Sequence, residues 1–473
     1  MAGEAGRGAE MGKRLLVALV IAVVGIATAP IPASAAVTTF TGTFADGATY
    51  KVEVPSNWNH TLLLYSHGYV TPGSPNPATD AATEDPLTHG FLLNAGYALA
   101  GSSYATTGWA LKEAFTDQIA TLDIFSKPAD KGGLGLPVPT RTIAWGHSLG
   151  GIITAGLLQR NPDRFDAALP MCGVLAGGAA VWNQGLDGEF VIKQLLAPSS
   201  NLQLVNITNP FANLVLSGQV LRVAQATPQG RARLALAAAV GDLPGWFAAG
   251  TPEPAADDYA SQEQNQFLWL SRVDGPFLFF LRAELEARAG GNPSWNTGVN
   301  YAKQLERSVD NAEVQALYQQ AGLNLDDDLA TLAAAPRISA DPGAVNYLTE
   351  NIAFNGELSG KPVLTIHTTG DGLVLNSDEQ AYRSVVQDAK DSQLLRQAFV
   401  HRAGHCTFTP AETIAALQAL VTRLNTGKWT SLADPANLDA AAAALGPALN
   451  VAPAAYIPFE PAPFLRPSDL GTH

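Results

Sequence analysis

Residues 143–151 read IAWGHSLGG and place a serine among glycines, where an apolar segment gives way to a helical pattern. A serine held on a strained strand-to-helix turn can act as a nucleophile, and the glycines relieve crowding that side chains would create there. The alternative is a tight turn without chemistry. Because a nucleophilic serine needs a base, an acid and an oxyanion site, the rest of the chain decides whether Ser148 is a nucleophile.

An acid and a histidine follow two later strands, in the order that a serine on such a turn requires. The strand KPVLTIH leads to Asp371, and the strand in RQAFVHRAGHC leads to His405. Since open α/β sheets carry their chemistry at the C-terminal ends of strands, Ser148, Asp371 and His405 are expected to converge at one edge. His405 would take the serine proton, and Asp371 would fix the imidazole tautomer and stabilise the imidazolium.

Attack on a carbonyl creates an oxyanion, which two backbone N–H groups can stabilise. One donor is expected at Leu149, where the first turn of a helix favours negative charge. The other is expected at Tyr69, in the SHGYV segment after an early strand. His67 is then a residue that shapes this loop rather than a base.

Other acids and histidines compete for the same roles. Asp378, Asp388 and Asp391 are alternatives to Asp371, but their pattern is typical of a solvated helix face. His401 falls inside a strand pattern, where a core or edge histidine is commoner than a base. His147 lies beside the candidate nucleophile and has no required role.

The elements that must position these residues alternate between strands and helices. Residues 38–55 form a predicted β-hairpin, and further strands are predicted at 62–66, 97–103, 140–145, 167–171, 362–367 and 397–401. Helices are predicted at 86–95, 110–125, 149–160 and 410–424. This order predicts an α/β fold with a mostly parallel sheet and helices on both faces.

The alternation stops between the two halves of this core. We divide the chain into a core at 36–173, a helical cap inserted at 174–345 and a second core part at 346–426. Helical patterns in the cap cover 230–242, 256–288 with an interruption at Gly275-Pro276, 301–320 and 326–334. The Ala/Pro-rich tail, 427–473, is expected to pack on the core through Tyr456, Phe459 and Phe464.

The N-terminal segment and the composition of the chain predict an exported globular protein. Lys13 and Arg14 precede an apolar run and a small-residue cleavage site, which predicts a signal peptide at 1–35. No later segment is long and apolar enough for stable membrane anchoring. The net charge of −14 disfavours nucleic acid and anionic membranes as partners.

The chain has two cysteines, Cys172 and Cys406. Cys172 follows a predicted strand one crossover after the nucleophile, and Cys406 directly follows His405, so both are expected at the same edge of the sheet. An oxidising compartment would allow a disulfide between them. The alternative is two buried free thiols.

The segments HGY, GHSLGG, TTGDGLV and RAGHC, in this order, resemble the α/β-hydrolase superfamily, specifically its secreted esterase and lipase-like members. The resemblance covers roughly 38–172 and 346–425, and the inserted segment resembles no family that we can name. The His-Cys pair at 405–406 also resembles tannases and feruloyl esterases. In those enzymes the partner cysteine adjoins the nucleophile, whereas this chain has His147 there.

The reaction expected from these residues is hydrolysis of a small-molecule or polymeric ester through an acyl-enzyme. Aromatic residues in the cap indicate a pocket for an apolar or bulky group. The candidate substrate-binding residues are Tyr104, Trp109, Trp269 and Phe280. No metal spacing or phosphate-binding loop is recognisable, so no metal or cofactor is expected.

Two other functions remain open at this point. A secreted aminopeptidase of the same fold would need cap carboxylates to hold the substrate ammonium, and Asp187 and Glu189 are the best candidates. A catalytically inactive binding protein on a hydrolase scaffold is the second alternative. The sequence indicates neither the oligomeric state nor the acyl group.

Overall fold

A computed structural model describes residues 35–82 and 85–466 of the chain. The predicted signal peptide therefore lies outside the described residues, apart from Ala35. Within them, nine strands form one sheet. They are β1 (Val37–Thr43), β2 (Thr49–Pro55), β3 (Thr61–Ser66), β4 (Ala98–Ser102), β5 (Arg141–His147), β6 (Ala167–Met171), β7 (Val363–Gly370), β8 (Leu395–Ala403) and β9 (Tyr456–Ile457).

The strand order in the sheet is β1-β2-β4-β3-β5-β6-β7-β8-β9. From β4 to β8 in this order every neighbouring pair is parallel, whereas the β1–β2, β2–β4 and β8–β9 pairs are antiparallel. The predicted hairpin is present as β1 and β2, and Gly47 supplies the positive φ of 95° in its turn. Since β5, β6, β7 and β8 are parallel neighbours, their C-terminal ends meet at one edge of the sheet.

Helices cover both faces of the sheet, as the pattern predicts. The helices of the core are α1 (Pro86–Asn94), α2 (Leu111–Ser126) and α3 (Leu149–Arg160), followed after the insertion by α13 (Ser377–Asp388), α14 (Pro410–Thr426) and α15 (Pro435–Ala444). Along β3, Leu62 and Leu64 pack in the cluster that holds α2 and α3 residues, and Leu63 and Tyr65 pack in the cluster on the other face. Alternate residues of β3 therefore pack under helices on opposite faces of the sheet.

Nine helices lie between β6 and β7 in the described chain. They are α4 (Gly178–Leu196), α5 (Pro210–Gln225), α6 (Pro228–Gly241), α7 (Tyr259–Trp269), α8 (Arg282–Ala289), α9 (Tyr301–Arg307), α10 (Asn311–Ala321), α11 (Leu325–Ala334) and α12 (Pro342–Ile352). Residues of α4, α6 and α10 form a separate hydrophobic cluster. The inserted segment therefore has a core of its own.

Two predicted helices of this segment differ in detail. The single helix expected at 301–320 is divided into α9 and α10, because Ser308 takes an extended backbone and its hydroxyl accepts the Asp310 N–H at 3.2 Å. The interruption expected at Gly275-Pro276 is instead a helical path with π-helical turns at Leu270–Asp274 and Phe277–Leu281. A Cβ at Gly275 would lie 2.5 Å from the Leu270 carbonyl oxygen, so the path requires glycine.

The tail contributes structure beyond loose packing. It contains α15 and β9, and β9 extends the sheet at its β8 edge. Tyr456 and Phe464 are buried, and the Phe459 ring lies 5.1 Å from that of Phe399. No helix in the described ranges is long and apolar enough to cross a membrane.

Candidate active site

Ser148 lies on a sharp turn between β5 and α3. Its φ of 57° and ψ of −123° are strained for a residue with a side chain. The turn is held in place because the Ser148 N–H donates to the Met171 carbonyl at 3.0 Å, and the Gly151 N–H donates to the Ser148 carbonyl at 2.8 Å. The strained backbone and its anchoring bonds are the local features expected for an exposed nucleophile.

The glycines around Ser148 are required by close backbone contacts. A Cβ at Gly150 would lie 1.9 Å from the Ser66 carbonyl oxygen, and one at Gly146 would lie 2.4 Å from the same atom. A Cβ at Gly151 would lie 2.4 Å from the Gly173 Cα. The glycine spacing read in the sequence therefore allows α3 to pack directly against the ends of β3 and β6.

Asp371 and His405 follow the adjacent strands β7 and β8. His405 Nδ1 lies 2.7 Å from Asp371 Oδ2, so a proton on Nδ1 is donated to the carboxylate. The other oxygen, Oδ1, accepts the Leu373 N–H at 3.0 Å and the Val374 N–H at 3.1 Å. Asp371 is fully buried, and three hydrogen bonds satisfy its carboxylate. The pair has the geometry of a base and its orienting acid.

A disulfide between Cys172 and Cys406, with 5.5 Å between the Cα atoms, brings the serine turn and the histidine loop together. Ser148 is hydrogen-bonded to Met171, next to Cys172, while Cys406 adjoins His405. The two cysteines predicted to pair are therefore joined. Ser148 and His405 lie on the two segments that the bridge connects.

The two predicted oxyanion donors lie near Ser148. Leu149 is the first residue of α3, where backbone N–H groups have no intrahelical acceptor. Tyr69 follows Gly68, where an added Cβ would lie 3.5 Å from the Ser148 Cβ. Tyr69, Ser148 and Leu149 all line one cavity.

The other histidines that the sequence singled out have different surroundings. His67 lies 2.7 Å from the Gly68 carbonyl and 3.1 Å from the Ser103 carbonyl, and it stacks on Tyr104, so it shapes the loop. Burial, with a smaller contribution from the charge of His405, lowers the pKa of His147 to about 4. His401 is exposed, and its Nε2 lies 3.4 Å from Glu253 Oε2.

The cavity beside Ser148 measures about 930 Å³ with its open mouth included. Most of its walls come from α4, the π-helical turns and the segment after Asp371. Phe277, Leu278 and Phe279 belong to the second π-helical turn, and Trp182 belongs to α4. The lining is mainly apolar and aromatic, which suits a hydrophobic substrate group.

Of the four predicted substrate-binding residues, Trp109 lines this cavity. Tyr104 instead donates its hydroxyl to the His67 carbonyl at 3.1 Å and supports the loop from behind. Trp269 packs on Gly372, where an added Cβ would lie 2.3 Å from the indole. Phe280 is also absent from the lining, because the second π-helical turn presents Phe277, Leu278 and Phe279 to the cavity instead.

The sequence reasoning missed Asp274, which ends the first π-helical turn and lines the cavity. Burial, with a smaller contribution from the neighbouring charge of Asp371, raises its pKa well above the ordinary value, which favours the neutral carboxyl group. A neutral acid can both donate and accept a hydrogen bond. The signal that could have found it is the Gly275-Pro276 pair, since π-helical turns often occur at functional sites.

The carboxylates proposed to bind an ammonium group are engaged elsewhere. Asp187 is fully buried and accepts hydrogen bonds from Tyr301, Gln304 and Arg466. It is not among the cavity-lining residues. Glu189 lines the cavity but forms a fully buried ion pair with Arg282 at 3.0 Å.

Two of the three alternatives to Asp371 also differ from the predicted solvated face. Asp378 is fully buried at the start of α13, and burial raises its pKa to about 8 although the charge of His367 opposes this rise. Asp391 is partly buried and accepts the Leu358 N–H at 2.7 Å. Asp388 is exposed, as its pattern predicts.

Two clusters of the described residues have a metal-like spacing of side chains. In the first, Cys172 and Cys406 are joined in the disulfide next to His405 and offer no thiolate. In the second, the Glu53 and Asp80 carboxylates, beside His89, bind the Lys51 ammonium at 2.8 and 3.0 Å. A lysine therefore supplies the positive charge that these carboxylates need.

No protein-family model matches the sequence. Among solved structures, an esterase from Aspergillus oryzae is 12% identical, covering 83% of this chain and 80% of that one with a TM-score of 0.45. Feruloyl esterase B from Aspergillus oryzae is 16% identical, with the same coverages and a TM-score of 0.38.

One relative has a higher sequence identity to this chain than these two structures. An o-phthalyl amidase of Xanthobacter agilis is 31% identical over 431 residues, which cover 85% of this chain and 90% of that protein. The sheet order, the serine turn and the Asp371–His405 pair agree with a hydrolase of this class. The chain belongs to the α/β-hydrolases, in the family that includes this amidase.

Proposed function

We propose that the protein hydrolyses carboxylic esters through an acyl-enzyme on Ser148. The observation that carries this proposal is the 2.7 Å contact between His405 Nδ1 and Asp371 Oδ2, beside the Ser148 turn. His405 Nε2 takes the serine proton as Oγ attacks the carbonyl carbon, and the imidazolium then gives that proton to the leaving alcohol. Water, deprotonated by the same histidine, releases the acid and regenerates Ser148.

The N–H groups of Leu149 and Tyr69 bind the oxyanion of the tetrahedral intermediates. Support comes from the position of Leu149 at the start of α3 and from Gly68, where an added Cβ would lie 3.5 Å from the Ser148 Cβ. Backbone donors fixed in this way need no reorganisation when charge develops. Loss of one such donor typically lowers kcat by about 10²- to 10³-fold.

The substrate carries a bulky apolar or aromatic group, in its acyl or its alcohol part. The apolar walls of the cavity, with Trp109, Trp182 and Phe277 among them, support this assignment. Residues 174–345 act as a cap that supplies most of these walls. The cap therefore sets substrate preference, while the core supplies the reacting groups.

A second candidate reaction is hydrolysis of amides of aromatic acids, and the family relationship to an o-phthalyl amidase favours it. The same acyl-enzyme would form, with an amine as leaving group. The aminopeptidase alternative is weaker because Asp187 and Glu189 are bonded to Tyr301, Gln304, Arg466 and Arg282. An inactive scaffold is disfavoured by the intact Ser148, Asp371 and His405.

The site of action is proposed to be outside the cytoplasm. The signal-like sequence at 1–35 and the Cys172–Cys406 disulfide both support export. The substrate is a small-molecule or polymeric ester, and no nucleic acid, membrane anchor or cofactor takes part.

The test is a hydrolysis panel of p-nitrophenyl esters, from acetate to long-chain acyl groups and benzoate, with the matching benzoyl p-nitroanilide. Turnover of esters, highest with bulky acyl groups, is expected, and Ser148→Ala should lower kcat/KM by at least about 10⁴-fold. Preference for the anilide would assign amide hydrolysis instead. Equal turnover by Ser148→Ala, or no labelling of Ser148 by a fluorophosphonate, would contradict the proposal.

A further inference from the structure

His367 is a fully buried histidine on β7, four residues before Asp371. Its Nε2 lies 2.9 Å from the Val374 carbonyl oxygen, and its Nδ1 lies 3.3 Å from Glu379 Oε1. Both ring nitrogens thus face groups that only accept hydrogen bonds. The doubly protonated, positively charged imidazolium is the form that satisfies both contacts.

Glu379 is fixed as the counter-charge of this imidazolium. It is fully buried at the start of α13, and its Oε2 accepts the Thr365 hydroxyl at 2.6 Å and the Gln397 amide at 2.5 Å. These donors occupy Oε2 and leave Oε1 to the His367 imidazole. Although burial lowers the pKa of His367, the hydrogen bond and charge of Glu379 raise it to about 9.

His367 also adjoins the proposed triad. Its Nε2 lies 3.7 Å from Asp371 Oδ2, the oxygen that contacts His405 Nδ1 at 2.7 Å. We propose that His367 is a positioning residue whose positive charge, beside the Asp371 carboxylate, sets the pH at which His405 acts as a base. This inference rests on the proposed function, because it assigns His405 as that base.

The other titratable groups around this pair do not supply the charge. Asp378 on α13 adjoins His367, and Asp274 on the π-helical turn adjoins Asp371. Burial raises the pKa of both carboxyls, to about 8 for Asp378 and well above the ordinary value for Asp274, and a carboxyl group supplies no positive charge in either form. Tyr382 on α13 faces Glu379, and burial raises its pKa as well. His367 therefore supplies the positive charge beside Asp371 Oδ2, the oxygen that also contacts His405.

Removal of this charge has a predictable sign. Without a cation at 3.7 Å, protonation of Asp371 and of His405 both become easier, so the pKa values of the coupled pair rise. The acid limb of the kcat/KM profile reports the protonation of the free enzyme. It should therefore move to higher pH. A purely structural role of His367 would lower the rate without moving this limb.

The test is His367→Gln, whose amide can still donate to the Val374 carbonyl. With the best ester of the panel, the acid limb should move up by about one pH unit, and the plateau rate should stay within about tenfold of the parent. His401→Gln, at an exposed histidine on β8, is the matched control and should leave the limb in place. An unchanged or lowered limb in a folded His367→Gln variant would overturn the inference.

A second measurement covers the case in which His367→Gln does not fold. In the Ser148→Ala protein, ¹⁵N-imidazole NMR should report His367 as doubly protonated between pH 6 and about 8, and neutral once Glu379→Gln is added. A neutral His367 at pH 7 would overturn the inference. Because this readout needs no turnover, it stands apart from the ester panel, whose failure would instead remove the proposed function.

Discussion

Cys172 and Cys406 are joined by a disulfide that connects the end of β6 to the residue directly after His405. Both cysteines have positive φ values, 43° and 55°, which residues with side chains rarely adopt. The bridge therefore holds two strained loop positions beside the serine turn. The Ser148 N–H donates to the carbonyl of Met171, which directly precedes Cys172. The bridge therefore joins the loop of the proposed base to the segment that anchors the proposed nucleophile.

The first prediction concerns this bridge. A Cys172→Ala/Cys406→Ala variant should lose turnover and thermal stability together, because the freed loop no longer holds His405 in place. The bridge closes a sequence separation of 234 residues, for which the chain-entropy estimate is up to about 5 kcal/mol. The measurements are kcat/KM and the free energy of unfolding.

Reduction provides the control for this prediction. A reducing agent should reproduce both losses in the parent protein and leave the double variant unchanged. If the variant lost stability but kept full turnover, the bridge would stabilise the fold without positioning His405.

The second prediction concerns the glycine that follows the serine turn. Gly150→Ala should reduce the free energy of unfolding by about 3 kcal/mol or more and remove most activity, because its Cβ would overlap the Ser66 carbonyl. Gly90→Ala in α1 is the matched control, since no atom lies within 4 Å of its added Cβ. It should change stability by at most about 1 kcal/mol, in the stabilising direction. Equal effects of the two substitutions would contradict the role of this close contact.

The fold and the proposed reacting groups could be predicted from the sequence because each leaves a local signal. Alternating strands and helices indicated the parallel sheet, and the strand ends at Ser148, Asp371 and His405 indicated where side chains meet. The glycines near Ser148 lie where neighbouring backbone atoms leave no room for a Cβ. The Cys172–Cys406 pairing followed from the same strand-end argument.

The cavity wall could not be predicted in the same way. Which residue of 270–281 faces the substrate depends on two π-helical turns, and the aromatic content of the cap does not indicate that Phe277 lines the cavity and Phe280 does not. Burial of a polar group leaves an even weaker signal. Asp378 reads as a solvated acid by pattern, yet tertiary packing places it inside the protein, and His367 reads as an ordinary strand residue.

The third prediction separates these two phenylalanines. Phe277 and Phe280 are both partly buried on the same π-helical turn, but only Phe277 lines the cavity, where its ring lies 5.0 Å from Tyr69. Phe277→Ala should change the ratio of kcat/KM between benzoate and acetate esters by about tenfold or more, and Phe280→Ala should leave that ratio unchanged. A larger effect at Phe280 would show that the substrate binds elsewhere.

The last prediction concerns the pH dependence of stability at Asp378. Its pKa is about 8 in the folded protein and about 4 in an unfolded chain, so only the folded state holds the proton between these values. The stabilisation of the folded state by this proton is fully present below about pH 4. It is lost as the pH rises through 8, at up to about 1.4 kcal/mol per pH unit. Asp378→Asn removes this dependence, so its free energy of unfolding should fall less steeply than that of the parent from pH 4 to 8.

Asp388→Asn, at the exposed end of the same helix, is the control and should retain the parent slope, measured by urea denaturation across that range. Identical slopes for parent and Asp378→Asn would mean that Asp378 is ionised in the folded protein.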